Sequence, residues 1–332
     1  GRMGHIRTKI LYANPNVRIV CIIDPFVKNG LALANKYHTK YYKSLIDATS
    51  DLNLNNDIIH AVCISTPTST HKDMIHQVAK CKYHIFAEKP ICDSVEDIQS
   101  CFDICKENGV QLCCGFQRRF DPSYVNLFNK VNSGAIGKPL LIHVFFADHP
   151  CPSLEFLKMG GCPFMDLSIH DVDFVCHLLT HANNTTDTAT TPTPDLPVDV
   201  YASGSSSKVE LQSIGVLDNA TMVIRFSSGC TCSIMMSRGS TYGYDQRCMV
   251  YGELGVASVE NMPATSTVLG DARGMHADKH LFSFPERFDV AFTAELDCFV
   301  EVCSSHSSGG DSVMWPISEH DCVLAQSVAI LA

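Results

Sequence analysis

Three side chains suited to proton transfer stand in two short motifs. Lys89 belongs to the run Glu88-Lys89-Pro90, and Asp166 and His170 belong to a later segment that begins at Gly160. An imidazole can take the hydroxyl proton of an alcohol, and an ammonium group can stabilise the alkoxide charge that develops. The set therefore predicts a dehydrogenase with Lys89, Asp166 and His170 as its catalytic residues.

The second motif has the spacing of a helix face. Asp166, His170 and Asp173 stand at i, i+4 and i+7, so on an α-helix they share one side while most apolar neighbours fall elsewhere. Such a stripe can face a substrate, which makes Asp173 a candidate substrate-binding residue. The alternative is an ordinary solvated helix face.

Composition limits the class of protein. The chain has 332 residues, 45% of them hydrophobic, which indicates a globular protein of about two domains. Its formal net charge is −10, without a basic block, which argues against nucleic acid as a partner and favours a small molecule. No apolar run approaches the roughly 20 residues that cross a bilayer, so we expect no membrane partner.

The seventeen cysteines are scattered through apolar stretches and lack the paired Cys-x-x-Cys spacing of a structural zinc site. We interpret them as reduced core residues, which predicts a cytoplasmic protein without a metal.

The amino-terminal segment is typical of the middle of a βαβ nucleotide-binding unit. A glycine turn opens a helix, and an apolar strand over 17–23 then ends at Asp24. In the dinucleotide fingerprint, glycines admit the pyrophosphate and an acidic residue about 20 positions on binds the ribose. The turn predicts cofactor contacts at four consecutive residues: Gly1, Arg2, Met3 and Gly4.

Asp24 favours NAD over NADP, because its carboxylate can accept a hydrogen bond from the ribose 2′-hydroxyl and repels a 2′-phosphate. The neighbouring Lys28 keeps NADP open. If Gly1 is the second fingerprint glycine, the first strand precedes residue 1. At the other end, the capping box at Ser318 begins a helix that is still running at Ala332. We therefore expect the 332 residues to be a fragment that folds poorly by itself.

Further buried strands are expected at 58–64, 84–87 and 112–116. Since ligands of parallel sheets bind at the carboxyl edge, Thr66, Pro67 and His71 are candidate cofactor contacts, and so are Glu88 and Lys89. An ordinary capped helix start is the alternative for the loop at 65–71. These elements define a Rossmann NAD-binding domain over 1–116.

The pattern then changes. A helix near 122–133 is followed by alternating stretches at 139–147, 198–203, 209–217, 220–226, 230–237 and 247–250. They predict an α+β domain over 117–332 with a large, mainly antiparallel open-faced sheet and a surface insertion at 181–197. We expect the α/β and α+β domains to form a cleft in which Lys89 and His170 converge.

The chain resembles the glucose-fructose oxidoreductase / inositol dehydrogenase (Gfo/Idh/MocA) family, most closely its myo-inositol 2-dehydrogenase members. The resemblance spans nearly the whole length. It is carried by the glycine turn, Asp24, residues 65–67, 88–90, 115–121, 160–173 and the run from Tyr242 to Arg247.

This resemblance implies NAD-dependent oxidation of a cyclic polyol, myo-inositol to 2-keto-myo-inositol (scyllo-inosose), by a homo-oligomer, a dimer or tetramer. It also implies that Arg119, His149 and Tyr242 lie at the polyol site. Two alternatives stay open: a dehydrogenase or reductase of another sugar, polyol or dihydrodiol, and a non-catalytic NAD-binding regulator.

Overall fold

Short apolar runs form the parallel strands of the first structural unit. The computed structural model describes residues 1–54, 58–182, 194–308 and 313–332. The elements up to residue 116 are α1 (Arg2–Ala13), β1 (Cys21–Ile23), α2 (Val27–Lys36), β2 (Lys40–Tyr42), α3 (Leu45–Leu54), β3 (Ala61–Ile64), α4 (His71–Lys80), β4 (His84–Glu88), α5 (Val95–Glu107) and β5 (Leu112–Gly115). Strand and helix alternate, as the doubly wound α/β class requires.

The strands of this unit pair in parallel as β1–β2 and as β3–β4–β5. In the doubly wound order 3-2-1-4-5, one place lies between β1 and β3, and none of the described strands occupies it. Strand β1 covers three residues, fewer than the predicted 17–23.

The remaining elements are α6 (Pro122–Asn132), β6 (Pro139–Ala147), α7 (Leu154–Gly160), α8 (Ile169–Ala182), β7 (Pro197–Ser205), α9 (Val209–Gln212), β8 (Asn219–Phe226), β9 (Thr231–Ser237), β10 (Asp245–Gly252), β11 (Val256–Val259), β12 (Val268–Asp271), β13 (Gly274–Ala277), α10 (Phe284–Arg287), α11 (Asp289–Ser308) and α12 (Glu319–Leu331). The predicted strand at 209–217 is wrong, because its first residues form the short helix α9. Most of the predicted insertion, at 183–193, lies outside the described residues.

Six strands form the large sheet of the second unit, in the order β11-β10-β6-β9-β8-β7. Only the central pair β6–β9 is parallel, so the sheet is mainly antiparallel as predicted. One face is buried, with Ile142, Val144 and Phe146 of β6 in the core, whereas Leu141 and His143 point to the exposed face. The sheet is therefore open-faced.

The chain divides after Phe116, where the sequence predicts the domain boundary. The predicted second domain needs one correction, because residues 292–322 belong to the first unit. The physical reason is packing: Phe299 and Trp315 both contact the ring of Phe86 on β4. Among the described helices, none is long and apolar enough to cross a membrane.

Candidate functional site

The amino terminus of α1 has the features of a pyrophosphate-binding turn. Gly1 is its N-cap, no described side chain caps the first turn, and a Cβ on Gly1 would meet nothing within 4 Å. A Cβ on Gly4 would lie 3.8 Å from the Cβ of Ser65, so the helix begins beside the carboxyl end of β3. Backbone amides and the helix dipole at such a terminus favour an anionic group.

Asp24 directly follows β1 at the same kind of strand end. Its Oδ1 accepts a hydrogen bond from the amide of Phe26 at 2.8 Å, and its backbone carbonyl accepts one from the Tyr41 hydroxyl at 2.9 Å. These contacts fix a partly exposed carboxylate at the edge where a ribose would lie. The turn at Gly1 to Gly4 and Asp24 thus fit a dinucleotide.

The loop after β3 is held by a buried histidine. His71 places Nε2 3.0 Å from the carbonyl oxygen of Thr66, and Nδ1 3.0 Å from that of Pro90 and 3.2 Å from that of Ile91. Its side chain is buried, whereas Thr66 and Pro67 are more exposed. The geometry gives His71 the role of joining two loops, and its direct contact with the cofactor stays a prediction.

Strand β4 ends at Glu88, which is buried and forms an ion pair. The Nε of Arg7 donates to its Oε1 at 2.7 Å. Lys89 follows, partly exposed, at the same strand end, and the Lys89–Pro90 peptide is cis. The Glu88 carboxylate is thus engaged by Arg7. Cofactor contacts by Glu88 and Lys89 stay predictions.

Asp166 and His170 lie on different types of helix. Asp166 belongs to a π-helical turn, Phe164–Ser168, and His170 to the first turn of α8. Insertions of this kind shift the faces of a helix and are frequent at functional sites. Both side chains are partly exposed, 24% for that of Asp166.

A buried arginine holds the Asp166 carboxylate. Arg238, directly after β9, places Nη2 2.8 Å from Asp166 Oδ2 and 3.1 Å from the carbonyl oxygen of Gly161. Its Nη1 is 3.9 Å from Asp148 Oδ2, at the end of β6. The guanidinium thus ties the π-helical turn to the ends of two strands.

His149 stands beside this cluster. Its Nδ1 is 2.8 Å from the carbonyl oxygen of Ser240, its backbone amide donates to Asp148, and its ring packs edge-on against Phe282. The neutral imidazole with a proton on Nδ1 satisfies the Ser240 contact and leaves Nε2 as an acceptor. Asp148 and Arg238 therefore bring His149 and Asp166 into one neighbourhood.

Asp173 and Arg119 pair with each other. Arg119 Nη2 is 2.6 Å from Asp173 Oδ1 and its Nε is 3.0 Å from Oδ2, and both side chains are almost fully buried. The alternative of a solvated helix face is therefore wrong at Asp173, because its carboxylate is buried in this bidentate bond. A substrate contact by Asp173 stays a prediction. Arg119 also lines a cavity of about 210 Å³ with Phe128 and His177, and its contact with polyol stays a prediction.

Tyr242 is exposed and hydrogen-bonded at its hydroxyl. It donates to Asp245 Oδ2 at 2.8 Å, and the same buried carboxylate accepts two hydrogen bonds from the Arg247 guanidinium. Partial burial and the bond to Asp245 raise the pKa of Tyr242, so the phenol is neutral. Its ring remains available to a ligand.

Sequence reasoning missed the buried cations. Arg7, Arg118 and Arg238 are each buried beside carboxylates, and Arg118 pairs with Asp171, where burial raises the carboxyl pKa to about 6. The sequence offers no signal for their burial, since polar residues flank them: Thr8 and Lys9 follow Arg7, and Arg118 stands between Gln117 and Arg119.

Comparisons with known proteins agree with this geometry. Residues 1–116 match the profile described as "Oxidoreductase family, NAD-binding Rossmann fold", and residues 124–258 match the "GFO/IDH/MocA C-terminal domain". The chain is 31% identical over 310 residues to myo-inositol 2-dehydrogenase of Thermotoga maritima, covering 91% of this chain and 85% of that protein.

Two further relatives support the same assignment. The scyllo-inositol 2-dehydrogenase (NAD(+)) of Bacillus subtilis is 33% identical over 91% of this chain and 83% of its own length. The crystal structure of a myo-inositol dehydrogenase from Corynebacterium glutamicum matches with a TM-score of 0.83 and 27% identity, over 99% of this chain and 92% of that one. The chain is accordingly an NAD-dependent dehydrogenase acting on CH–OH groups.

Proposed function

The chain belongs to the Gfo/Idh/MocA family of NAD-dependent oxidoreductases, and we propose that it oxidises myo-inositol to 2-keto-myo-inositol (scyllo-inosose). The observation that carries the proposal is the cluster around Arg238, which fixes the partly exposed Asp166 carboxylate four residues before His170. A fixed carboxylate beside imidazole acceptors suits a ligand with many hydroxyl donors. The names of the two inositol dehydrogenases reported above support an inositol as that ligand.

His170 is the base in this proposal. It accepts the proton of the reacting hydroxyl, and a positioned base of this kind contributes roughly 10²–10⁴-fold to the rate. The ammonium of Lys89 stabilises the alkoxide charge, and Asp166 accepts hydrogen bonds from substrate hydroxyls. His149, Arg119 and Tyr242 are proposed to orient the ring.

The cofactor-binding residues follow from the first unit. The amides of the turn from Gly1 to Gly4 hold the pyrophosphate, Asp24 holds the ribose, and Thr66 and Pro67 border the same edge. Bound NAD supplies the acceptor for the hydride that leaves the carbinol carbon. The ketone, NADH and one proton are the products.

Variants of the two proposed proton-handling residues test this function. We expect His170→Ala and Lys89→Ala each to lower kcat at least about a hundredfold, while the Kd for NAD changes less than about threefold, because the amides of the turn from Gly1 to Gly4 and the Asp24 carboxylate supply most of the proposed dinucleotide contacts. His276→Ala and Lys80→Ala, at exposed positions, are matched controls. Near-normal turnover in either active-site variant would remove that residue from the mechanism.

A second candidate substrate is scyllo-inositol, which the name of the Bacillus subtilis relative favours. The two isomers differ in the orientation of a single hydroxyl. Rates of NADH formation across a panel of inositol isomers and sugars, measured with the same enzyme, distinguish the two and also reveal another polyol.

We further propose that two copies associate through the exposed face of the six-stranded sheet, as a dimer or as half of a tetramer. Apolar side chains stand on this face: Leu141, Tyr201, Met235 and Tyr251 are each more than 40% exposed. Several exposed apolar side chains on one open sheet face favour an interface with another copy. Met235→Glu is expected to shift the mass measured by sedimentation toward the monomer, whereas Met275→Glu, on the β12–β13 hairpin, is the comparison variant.

We also assign the enzyme to the cytoplasm, because all seventeen cysteines are free thiols. Imaging of the fluorescently tagged protein tests the assignment. Accumulation in an oxidising compartment would contradict it.

A further inference from the structure

A buried guanidinium, that of Arg7, lies at the carboxyl end of β4, directly before Lys89. Arg7 on α1 is 1% exposed, and it contacts two carboxylates: Nε is 2.7 Å from Glu88 Oε1, and Nη1 is 2.6 Å from Glu295 Oε2. Its central carbon lies 4.7 Å from the ring centroids of both Phe86 and Phe292. The guanidinium is therefore held between two rings and between two acids.

This contact joins two parts of the proposed site. Arg7 lies one helical turn after Gly4, in the helix whose amino terminus faces the pyrophosphate, and Glu88 directly precedes Lys89. A side chain on Gly115 of β5 would place its Cβ 3.3 Å from Arg7 Nη2 and 3.4 Å from Glu88 Oε2. The three neighbouring elements leave the ion pair little room to move.

Stability is a weak explanation for such a group. Replacing a buried ion cluster by apolar residues of similar volume is often neutral or stabilising, because desolvation offsets the attraction between the charges. The cluster also carries one cation for two acids, and burial raises the pKa of Glu295 to about 7. What the arrangement does provide is a fixed orientation of Glu88 relative to α1.

We propose that Arg7 is a positioning residue for the dehydrogenation: by holding Glu88 to α1, it fixes the backbone from which Lys89 reaches the substrate. This inference rests on the proposed role of Lys89. Arg7 touches neither substrate nor cofactor. It acts through Glu88, the last residue of β4.

Arg7→Met tests the proposal, with Glu295→Gln as the matched control that alters the same cluster but keeps the Arg7–Glu88 bond. We expect Arg7→Met to lower kcat by about tenfold to a hundredfold, the range for loss of a charge-assisted hydrogen bond, with a KM for NAD within about threefold. Arg7→Lys restores part of kcat, because an ammonium can still pair with Glu88. Glu295→Gln stays within about twofold of the parent.

A second measurement reads the position of Lys89 without turnover. Lysines are reductively methylated with ¹³C, which preserves their charge, and the Lys89 signal is assigned by its loss in Lys89→Arg. We expect this signal to shift or broaden in Arg7→Met and to be unchanged in Glu295→Gln. Fluorescence of Trp315, the single tryptophan, which packs against Phe86, shows that each variant is folded.

The outcomes separate the two proposals. A folded Arg7→Met variant with the parent Lys89 signal overturns the positioning role, whatever its turnover. If Arg7→Met does not fold, Glu88→Leu takes its place, because it breaks the same bond while Arg7 keeps Glu295 as a partner. A folded Glu88→Leu variant with the parent Lys89 signal overturns the role equally. Failure of the parent enzyme to form NADH from any polyol refutes the proposed function, while the Lys89 signal still decides the role of Arg7.

Discussion

Removing the charge of Arg238 is the perturbation with the clearest consequence for the polyol site. Arg238→Met keeps a long side chain but deletes the group that holds Asp166, Asp148 and the carbonyl of Gly161. Asp166 then loses its fixed orientation at the point where we propose that it receives substrate hydroxyls. NAD binding involves other residues and should not change.

The size of the effect follows from the contacts. The bond to Asp166 at 2.8 Å is charge-assisted, a class that contributes about 1.5–3 kcal/mol. Because Asp166 is 24% exposed, water screens part of this attraction, so we take about 1.5–2 kcal/mol, which corresponds to about a 10–30-fold loss. The free energy of unfolding should fall by about 2–4 kcal/mol, since two carboxylates lose a buried partner.

The assay is steady-state NADH formation at varied polyol and fixed saturating NAD, with urea unfolding as the measure of stability. We expect kcat/KM for the polyol to fall about 10–30-fold and KM for NAD to stay within about threefold. Arg273→Met, which removes an exposed ion pair with Asp271, is the control and should change neither quantity measurably. A folded Arg238→Met enzyme with at least half of the parent kcat/KM would refute the reasoning.

Three further predictions concern the first unit. Asp24→Ser should raise the ratio of kcat/KM for NADP to that for NAD by about tenfold or more, because it removes repulsion of the 2′-phosphate; an unchanged ratio would argue against a ribose contact. Burial raises the folded-state pKa of Glu295 to about 7, so the parent should lose roughly 1–3 kcal/mol of unfolding free energy relative to Glu295→Gln as pH rises from about 4.5 through 7. Urea unfolding at several pH values, followed by Trp315 fluorescence, measures this loss. Parallel pH curves for the two proteins would contradict the prediction. Gly30→Ala should lower the unfolding free energy by about 1–3 kcal/mol, because the new Cβ would lie 2.3 Å from Cε2 of Tyr41, and a thermal midpoint equal to the parent's would show that the ring moves freely.

Elements whose apolar residues recur with a regular strand or helix period were predictable from sequence. The alternating stretch at 139–147 coincides with β6, and the helix near 122–133 is α6, which begins at a proline after an aspartate cap. The stretch at 209–217 misled because a short apolar alternation is ambiguous; α9 buries only Leu211. The return of 292–322 to the first unit depends on contacts such as Phe299 with Phe86, which join residues far apart in sequence.

The candidate site was predictable in its residue types and less so in its geometry. The spacing of Asp166 and His170 identifies the segment. The amino-acid types in Phe164–Ser168 do not indicate that this stretch, which includes Asp166, forms a π-helical turn. The burial of Asp173 follows from Arg119, which stands 54 residues earlier. Likewise, Glu88 meets Arg7 only because β4 ends beside α1.

The central claim is that hydride leaves one ring carbon of an inositol for NAD. Its most direct measurement uses myo-inositol deuterated at C2, with mass spectrometry of both the cofactor and the polyol after one turnover. The account predicts one deuterium in the reduced cofactor and an unlabelled 2-ketone. A cofactor that stays unlabelled, or a ketone that retains the deuterium, would contradict it.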